Sequence, residues 1–194
     1  MILWQSGLLQ IGISYFNHDR EFVWGVRGFT SVQEMNTSII EHHNSIVSND
    51  DDVYVLGDLC LGGAGVNHEN QQLIEQLNGR LHIVLGNHDT PARIEMSRFC
   101  KNGVEEPKYA DMLHYNGYHF YMSHFPTMTA NLEKEYLKQC TINLYGHTHQ
   151  KNNFYQDIPF MYHVGMDSHN CYPVLLDDAI EEMKNKVKEC KEKL

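Results

Sequence analysis

Short apolar runs alternate with amphipathic segments along most of the chain. The apolar runs lie at 8–16, 53–56, 81–85, 112–115, 118–123, 141–145 and 160–164, and helical periodicity covers 32–48, 67–77, 131–139 and 178–193. Strands interleaved with helices are typical of α/β proteins. Because 194 residues suffice for one core and are few for two, we predict a single α/β domain over residues 1–194.

Local signals predict two of the element boundaries. Ser31, followed three residues later by Glu34, is a capping-box pattern that predicts the start of the helix over 32–48. Asn116-Gly117 stands between two apolar runs and predicts a tight β-hairpin. The second arm of this hairpin leads towards one of the polar clusters described below.

Composition and charge narrow the classes of protein. Hydrophobic residues make up 42% and charged residues 21% of the chain, which is a globular composition. The formal net charge of -10 argues against binding to nucleic acid or to an anionic membrane, since both favour a positive surface. No apolar run approaches the roughly 20 residues of a membrane-spanning helix. The apolar start has no basic residue before Arg20, so we expect no signal peptide.

The cysteines indicate a reducing compartment. They are five in number and widely spaced, with no Cys-x-x-Cys pair: Cys60, Cys100, Cys140, Cys171 and Cys190. An odd number without paired spacing is typical of reduced thiols. We therefore expect a cytoplasmic protein without disulfides.

Several predicted strands run directly into clusters of polar residues. The clusters contain Asp58, Asn87, His88, Asp89, His124, His147 and His149. Because parallel strands end at the same edge of a sheet, clusters delivered by separate strands can converge there. Mixed oxygen and imidazole ligands suit manganese, iron, zinc or nickel, and a carboxylate such as Asp58 can bridge two ions. Two ions about 4 Å apart can clamp a phosphoryl group.

The order and spacing of these clusters resemble the calcineurin-like metallophosphoesterase superfamily. The matching runs are Gly57-Asp58, Gly86-Asn87-His88-Asp89, His124 and Gly146-His147-Thr148-His149. The resemblance covers about the whole chain and implies a four-layer α-β-β-α sandwich with two packed mixed sheets. It also implies a phosphoesterase that cleaves small phosphomonoesters or phosphodiesters with a metal-activated hydroxide. The implied cofactors are one or two divalent ions per chain, Mn²⁺, Fe²⁺, Zn²⁺ or Ni²⁺.

The resemblance also implies a role for each residue of the clusters. Asp58 would bridge two ions, with Asn87, His124 and His147 completing one site and His149 belonging to the other. His88 would contact the scissile phosphate or protonate the leaving oxygen. Asp89 would orient the ring of His88.

The chain departs from the family at its first motif. The family carries Asp-x-His at the end of the first strand, as ligands of the ion that His149 binds. One alignment places Ile13 and Tyr15 at these two positions, and another places Gly7 and Leu9 there. Under either alignment, one ion loses a carboxylate and an imidazole ligand.

Three residues near the missing motif have candidate roles. His18 and Asp19 offer an imidazole and a carboxylate that could substitute for the lost ligands, although loss by divergence explains the same pattern. Arg27 could contact a phosphate through two guanidinium nitrogens, although a solvated loop is the default interpretation.

His163, Asp167 and His169 surround a run that resembles a late family segment. We favour a structural role for them over a contact with the substrate.

Two functions remain open at this stage. The first is an active hydrolase with one strong metal site and a weaker or unusual second site. The alternative is a catalytically impaired metal-binding or regulatory module that keeps the fold. A nucleic-acid processing enzyme is a third reading, which the acidic charge disfavours. The sequence does not define an oligomeric state.

Overall fold

The computed structural model describes residues 9–12, 16–62, 68–102, 106–129 and 136–192. Its strands are β1 (Leu9–Gly12), β2 (Asp52–Leu56), β3 (Arg80–Val84), β4 (Ala110–Tyr115), β5 (Tyr118–Ser123), β6 (Thr141–Tyr145), β7 (Met161–His163) and β8 (Val174–Leu175). Its helices are α1 (Glu21–Trp24), α2 (Val32–Ile46), α3 (His68–Ile74), α4 (Pro91–Met96) and α5 (Leu176–Glu192). Short 3-10 turns lie at Ser97–Phe99, Leu137–Gln139 and Tyr155–Asp157.

The strands form two four-stranded sheets, and both sheets are mixed. The first has the order β3-β2-β1-β8, in which β1, β2 and β3 are parallel and β8 is antiparallel to β1. The second has the order β4-β5-β6-β7, in which the β4–β5 hairpin is antiparallel and β5, β6 and β7 are parallel. Parallel strands therefore deliver their carboxyl ends together within each sheet.

The alternation of side chains in β2 shows how the layers are arranged. Tyr54 and Leu56 belong to a core cluster shared with the second sheet, which contributes Phe120, Leu144 and others. Val53 and Val55 belong to a second cluster. That cluster also contains Met35 and Ile39 of α2, Ile74 of α3, and Leu81 and Ile83 of β3. Because successive side chains of a strand face opposite sides of its sheet, β2 is covered by a sheet on one face and by helices on the other. The predicted sandwich of two mixed sheets with helices is confirmed.

The local signals in the sequence are found in the structure. The Ser31 side chain accepts a hydrogen bond from the Glu34 N–H, which caps α2. The Glu34 carboxylate accepts from the Thr30 N–H, one residue before the position of a standard capping box. Asn116 and Gly117 have φ values of 49° and 79°, as a two-residue hairpin turn requires.

Other elements differ from the sequence-based expectations. Within the described residues, the predicted helix over 131–139 is reduced to the 3-10 turn at its end, and positions 130–135 lie outside the description. Positions 7, 13 and 15, which either alignment assigned to the missing motif, also lie outside it. Helices α1 and α4 and strand β8 were not predicted, because each is too short to show a clear period. No helix in the described ranges is long and apolar enough to cross a membrane.

A buried network of amides fixes the segment that follows β1. The Asn17 side chain donates to Asn70 Oδ1 at 2.6 Å and accepts from Asn36 Nδ2 at 2.6 Å, and its backbone N–H donates to Asn36 Oδ1 at 3.0 Å. All three side chains are buried, so their polar atoms need these partners. The network ties the segment to α2 and α3, and it places the next residue, His18, beside the candidate site.

Candidate functional site

Four predicted ligands meet at one point, which we call the His124 corner: Asp58, Asn87, His124 and His147. The Nε2 atom of His124 lies 2.8 Å from Asn87 Oδ1, 3.1 Å from His147 Nδ1 and 3.4 Å from Asp58 Oδ2. One imidazole nitrogen carries either one proton or one lone pair. A single proton or lone pair cannot pair fully with all three atoms.

The other ring nitrogen of His124 determines what Nε2 can do. Nδ1 lies 2.9 Å from the Leu56 carbonyl oxygen at the end of β2. A carbonyl only accepts, so Nδ1 carries the proton, and in the neutral ring Nε2 carries a lone pair. That lone pair faces two oxygen acceptors, Asn87 Oδ1 and Asp58 Oδ2. The arrangement is favourable when a proton or a metal cation lies among these atoms.

The donor set fits a divalent ion in its chemistry. Two ligands at about 2.1 Å from an ion and at right angles to one another lie about 3.0 Å apart, which is the scale of the separations around His124 Nε2. Burial, and then the neighbouring His124, lower the pKa of His147, which keeps its ring neutral for binding. Within the described ranges, however, no three His, Cys, Asp or Glu side chains are arranged as a ready-made metal cage. The fit therefore rests on the convergence at Nε2, which includes the amide oxygen of Asn87.

Two glycines make this close approach between the sheets possible. Gly57 has a φ of 94°, and a Cβ there would lie 2.7 Å from the Gly86 Cα and would collide with His124 Nδ1. A Cβ on Gly86 would collide with the Asp58 carboxylate and lie 2.8 Å from its backbone nitrogen. Space therefore requires glycine at both positions, and at Gly57 the backbone conformation favours it as well.

The carboxylates of Asp58 and Asp89 cross-link the loops after β2 and β3. Asp58 Oδ1 accepts from the His88 N–H at 2.8 Å. Asp89 Oδ2 accepts from the N–H groups of Asp58 and Gly86 at 2.8 and 2.7 Å. Burial raises the pKa of Asp89 and outweighs the opposing effect of these two hydrogen bonds. In the described hydrogen bonds Asp89 braces the backbone, and its role in orienting the His88 ring stays a prediction.

His88 stands at the mouth of the site with its backbone held on both sides. Its N–H donates to Asp58, and its carbonyl accepts from the Thr90 N–H at 2.9 Å and from Arg93 Nη1 at 2.8 Å. The residue itself is exposed. A fixed backbone with an accessible ring suits a group that contacts a substrate.

The remaining predicted ligand, His149, lies in a second cluster that we call the His149 corner: His149, Asp167, Arg27 and His18. His149 Nδ1 lies 3.1 Å from Asp167 Oδ2. Arg27 donates to Asp167 from Nε at 3.0 Å and from Nη2 at 2.9 Å. The side chains of Arg27 and Asp167 are only 2% and 7% exposed. Burial would raise the pKa of Asp167, but the hydrogen bonds from His149 and Arg27 and the guanidinium charge hold it well below its usual range.

The structure separates the two expected substitute ligands. The His18 ring packs edge-on against the His149 ring, with centroids 5.6 Å apart. The Asp19 side chain is 82% exposed and lies 3.7 Å from Arg20. His18 is thus beside His149, whereas Asp19 faces solvent; the carboxylate that does reach His149 belongs to Asp167.

The structure gives Arg27, which the sequence offered as a possible phosphate contact, a carboxylate partner. Two of its guanidinium nitrogens are engaged by Asp167, and Nη1 lies 3.4 Å from the sulfur of Met35. With a side chain that is 2% exposed, Arg27 does not present its guanidinium to a substrate. Of the residues around Asp167, His163 is fully buried, and burial lowers its pKa to about 4. His169 Nε2 lies 2.8 Å from the His163 carbonyl oxygen.

Sequence reasoning did not single out an exposed aromatic ring beside the His124 corner. Phe125 is 49% exposed, and its ring centroid lies 4.6 Å from that of His147 and 4.9 Å from that of His124. Phe125 directly follows His124 in the sequence, and this adjacency was the one signal from which its place at the site could have been predicted. The ring gives the His124 corner an apolar wall.

Comparisons with known proteins agree with this arrangement. Two packed mixed sheets, with Asp, Asn and His side chains converging beyond the strand ends, define a phosphoesterase-type protein. A family model described as the calcineurin-like phosphoesterase superfamily domain matches residues 34–165. Since the match spans more than half of the chain, the chain belongs to this superfamily, whose members generally use divalent metals.

Three similar proteins match this chain over most of its length and most of their own. An uncharacterized protein of Methanocaldococcus jannaschii is 30% identical over 176 residues, which are 86% of this chain and 85% of that protein. The Gene 66 protein of a Mycobacterium phage is 25% identical over 205 residues, covering 96% of this chain and 98% of that protein. The crystal structure of a protein of unknown function from Aquifex aeolicus has a TM-score of 0.65 at 18% identity and covers 91% and 99% of the two chains. At that identity the similarity is one of fold alone.

Proposed function

We propose that this protein is a metal-dependent phosphoesterase that hydrolyses small phosphomonoesters or phosphodiesters. One observation carries the proposal: the Nε2 atom of His124 lies 2.8 Å from the Asn87 amide oxygen, 3.1 Å from His147 Nδ1 and 3.4 Å from the Asp58 carboxylate. His124 and Asp58 are buried, and a divalent cation among these oxygen and nitrogen atoms would attract all of them. The family supports the same chemistry.

Asp58, Asn87, His124 and His147 would hold the first ion, and His149 would contribute to a second with Asp58 as the bridge. Manganese, iron, zinc and nickel all accept this mixture of oxygen and nitrogen ligands. Such an ion, when bound, polarises a phosphoryl oxygen and lowers the pKa of water. The chain's own residues then bind and orient the ester against it.

His88 is the residue that we propose to act on the leaving group. Its ring is exposed at the mouth of the site, while its backbone is held by Asp58 and Arg93. An imidazole in this position can donate a proton to the departing oxygen or a hydrogen bond to the phosphate. Asp89 fixes the loop that carries it through two backbone hydrogen bonds.

The size and charge of the substrate follow from the protein's electrostatics. A chain with a formal charge of -10 attracts a phosphate only where a local positive charge overcomes the overall field. The proposed ions supply that charge in one small region. A small phosphate ester fits this pattern better than a polyanion such as nucleic acid, which needs an extended basic surface.

One observation favours the alternative, a metal-binding or regulatory module without turnover. In the His149 corner the carboxylate of Asp167 is already neutralised by Arg27 through two hydrogen bonds. A carboxylate in that state is a poor ligand for a second ion. A protein that binds one ion only would lack the two-ion clamp.

Metal content and hydrolysis, measured together, test the proposal. We would determine the metals bound per chain by elemental analysis, and follow hydrolysis of bis(p-nitrophenyl) phosphate with added Mn²⁺. We expect at least one ion per chain and Mn²⁺-stimulated hydrolysis that falls about 100-fold in His88→Ala. His114→Ala is the matched control, because His114 is an exposed histidine of the β4–β5 hairpin. Bound metal without hydrolysis of phosphomonoesters or phosphodiesters would favour the module instead.

A further inference from the structure

A buried ion pair stands behind the ring of His149. Arg27 and Asp167 are 2% and 7% exposed, whereas the His149 side chain is 37% exposed. Arg27 contacts both oxygens of the carboxylate, at 3.0 and 2.9 Å, and one of these oxygens also lies 3.1 Å from His149 Nδ1. The three groups form a chain that leads from the protein interior to the site.

A purely structural role does not account for this arrangement. Arg27 and Asp167 are 140 positions apart, so their contact does join two distant loops. A packed apolar pair would join the same loops as well, since burying two charges carries a desolvation penalty. What an apolar pair could not supply is a charged acceptor next to the ring of a histidine. That is the feature the ion pair provides.

The contact determines which nitrogen of His149 faces the site. A carboxylate in a two-point contact with a guanidinium is ionised, so it accepts and the His149 Nδ1 donates. Nδ1 therefore carries a proton, and the lone pair of the neutral ring lies on Nε2. Both a metal ligand and a proton acceptor need that lone pair on the side of the ring away from its orienting carboxylate.

We propose that Asp167 and Arg27 are positioning residues of the candidate site, which hold the His149 ring in one orientation and in the Nδ1–H tautomer. Asp167 acts on the ring directly, and Arg27 acts through Asp167 by holding both of its carboxylate oxygens in place. The resemblance gave neither residue a role in holding the ring of His149. The inference rests on the proposed role of His149, and it holds whether His149 binds an ion or transfers a proton.

Nitrogen NMR of the histidine rings tests the proposal on the metal-free protein without substrate. The spectrum of His149→Ala identifies the signals of His149. In the unaltered protein we expect the Nδ1–H tautomer to predominate. In Asp167→Asn the amide oxygen would pair with Arg27 and the amide NH₂ would face Nδ1, so we expect the tautomer ratio to change at least about tenfold towards Nε2–H.

Asp19→Asn is the matched control, because it makes the same chemical change on a side chain that is 82% exposed. It should leave the His149 tautomer unchanged. An Nε2–H ring in the unaltered protein would overturn the proposal, and this outcome does not depend on whether any variant folds. An unchanged ratio in folded Asp167→Asn would overturn it as well.

A second variant separates the role of Arg27 from that of Asp167. Arg27→Lys keeps the positive charge but cannot contact both carboxylate oxygens in the same way. We expect the Nδ1–H tautomer to remain, with broader His149 signals from a less constrained ring. Unbroadened signals would remove Arg27 from the proposal. Because metal and substrate are absent throughout, a failure to hydrolyse esters would count against the proposed function and leave this result standing.

Discussion

The two corners of the candidate site are built in opposite ways. In the His124 corner, residues at the ends of β5 and β6 and in the loops after β2 and β3 bring together a carboxylate, an amide oxygen and two imidazole rings. In the His149 corner, loop residues surround a carboxylate that already has the guanidinium of Arg27. We propose a metal ion as the cation of the first corner, whereas the second corner contains the guanidinium of Arg27.

This difference sets an order of metal binding. An ion gains most where carboxylate, amide and imidazole ligands converge on it, so the His124 corner should fill first and more tightly. The His149 corner should bind weakly, or serve through hydrogen bonding alone. The four predictions below test that contrast, from the largest expected effect to the smallest.

The largest effect should come from adding one methyl group at the His124 corner. In Gly57→Ala the new Cβ would collide with the His124 ring and the Gly86 backbone, so we expect a loss of about 3–5 kcal/mol in the free energy of unfolding. Gly28→Ala is the control, because Gly28 has a similar φ of 89° and nothing within 4 Å of the added Cβ. It should cost only about 1–2 kcal/mol, measured by urea unfolding. Equal losses of stability in the two variants would mean that the close contacts around Gly57 do not cause the destabilisation.

Removing the ring of His124 should abolish tight metal binding. His124→Ala deletes the nitrogen on which the other three donors converge, and we expect the affinity for the first Zn²⁺ or Mn²⁺ to fall at least about 100-fold in calorimetric titrations. Hydrolysis should fall with it. Retention of the first ion at full affinity would place the metal elsewhere and contradict the proposed difference between the two corners.

Mild acid should weaken the support of the His149 corner. The loop that carries Asp167 is anchored by a 2.7 Å contact between His163 Nδ1 and Ser168 Oγ. Burial, and then the nearby His169, lower the pKa of His163 to about 4, against the effect of Asp167. The unfolded chain therefore binds the proton more readily, and stability is lost as the pH falls from about 6.5 towards 4.

Unfolding at two pH values measures this effect. Between about pH 7.5 and pH 5 we expect His163 to account for a loss of about 2 kcal/mol in the free energy of unfolding. His163→Gln should be less stable at the higher pH but should lose less on acidification. His114→Gln, a change on the exposed hairpin, should keep the full pH dependence. A variant at position 163 with an unaltered slope would assign the acid sensitivity to other groups.

The smallest effect should come from the ring of His149 itself. We expect His149→Ala to leave the affinity for the first ion within about threefold and to reduce ester hydrolysis about tenfold. The reason is that the His149 corner offers a single ring nitrogen, and its carboxylate is already paired with Arg27. Calorimetry and steady-state kinetics give the two numbers. A loss of the first ion in this variant would show that both corners bind it together.

The sequence predicted the His124 corner because its residues stand in short runs that directly follow strands. Asp58 follows β2, Asn87 follows β3 and His124 follows β5, so local pattern and parallel pairing sufficed to bring them together. The same reasoning predicted the α/β architecture, whereas the two mixed sheets were implied by the family resemblance.

The His149 corner could not be predicted in the same way. The contact between Arg27 and Asp167 joins residues 140 positions apart, and neither local pattern nor charge indicates that the pair is buried. Asp19 was a reasonable substitute by its place in the sequence, yet the buried amide network around Asn17 turns the chain so that His18 faces inward and Asp19 faces solvent. Such partner choices depend on tertiary packing.

The hydrogen bond between His124 and the Leu56 carbonyl has a practical consequence for handling the protein. It connects the end of β2 in the first sheet to a histidine that follows β5 of the second sheet. An ion bound by that histidine would therefore also stabilise the packing of the two sheets. An ion that binds only the folded chain raises its melting temperature in proportion to the logarithm of its concentration. A chelator added during purification would then act as a mild denaturant, and heat resistance would report the metal content before any substrate is known.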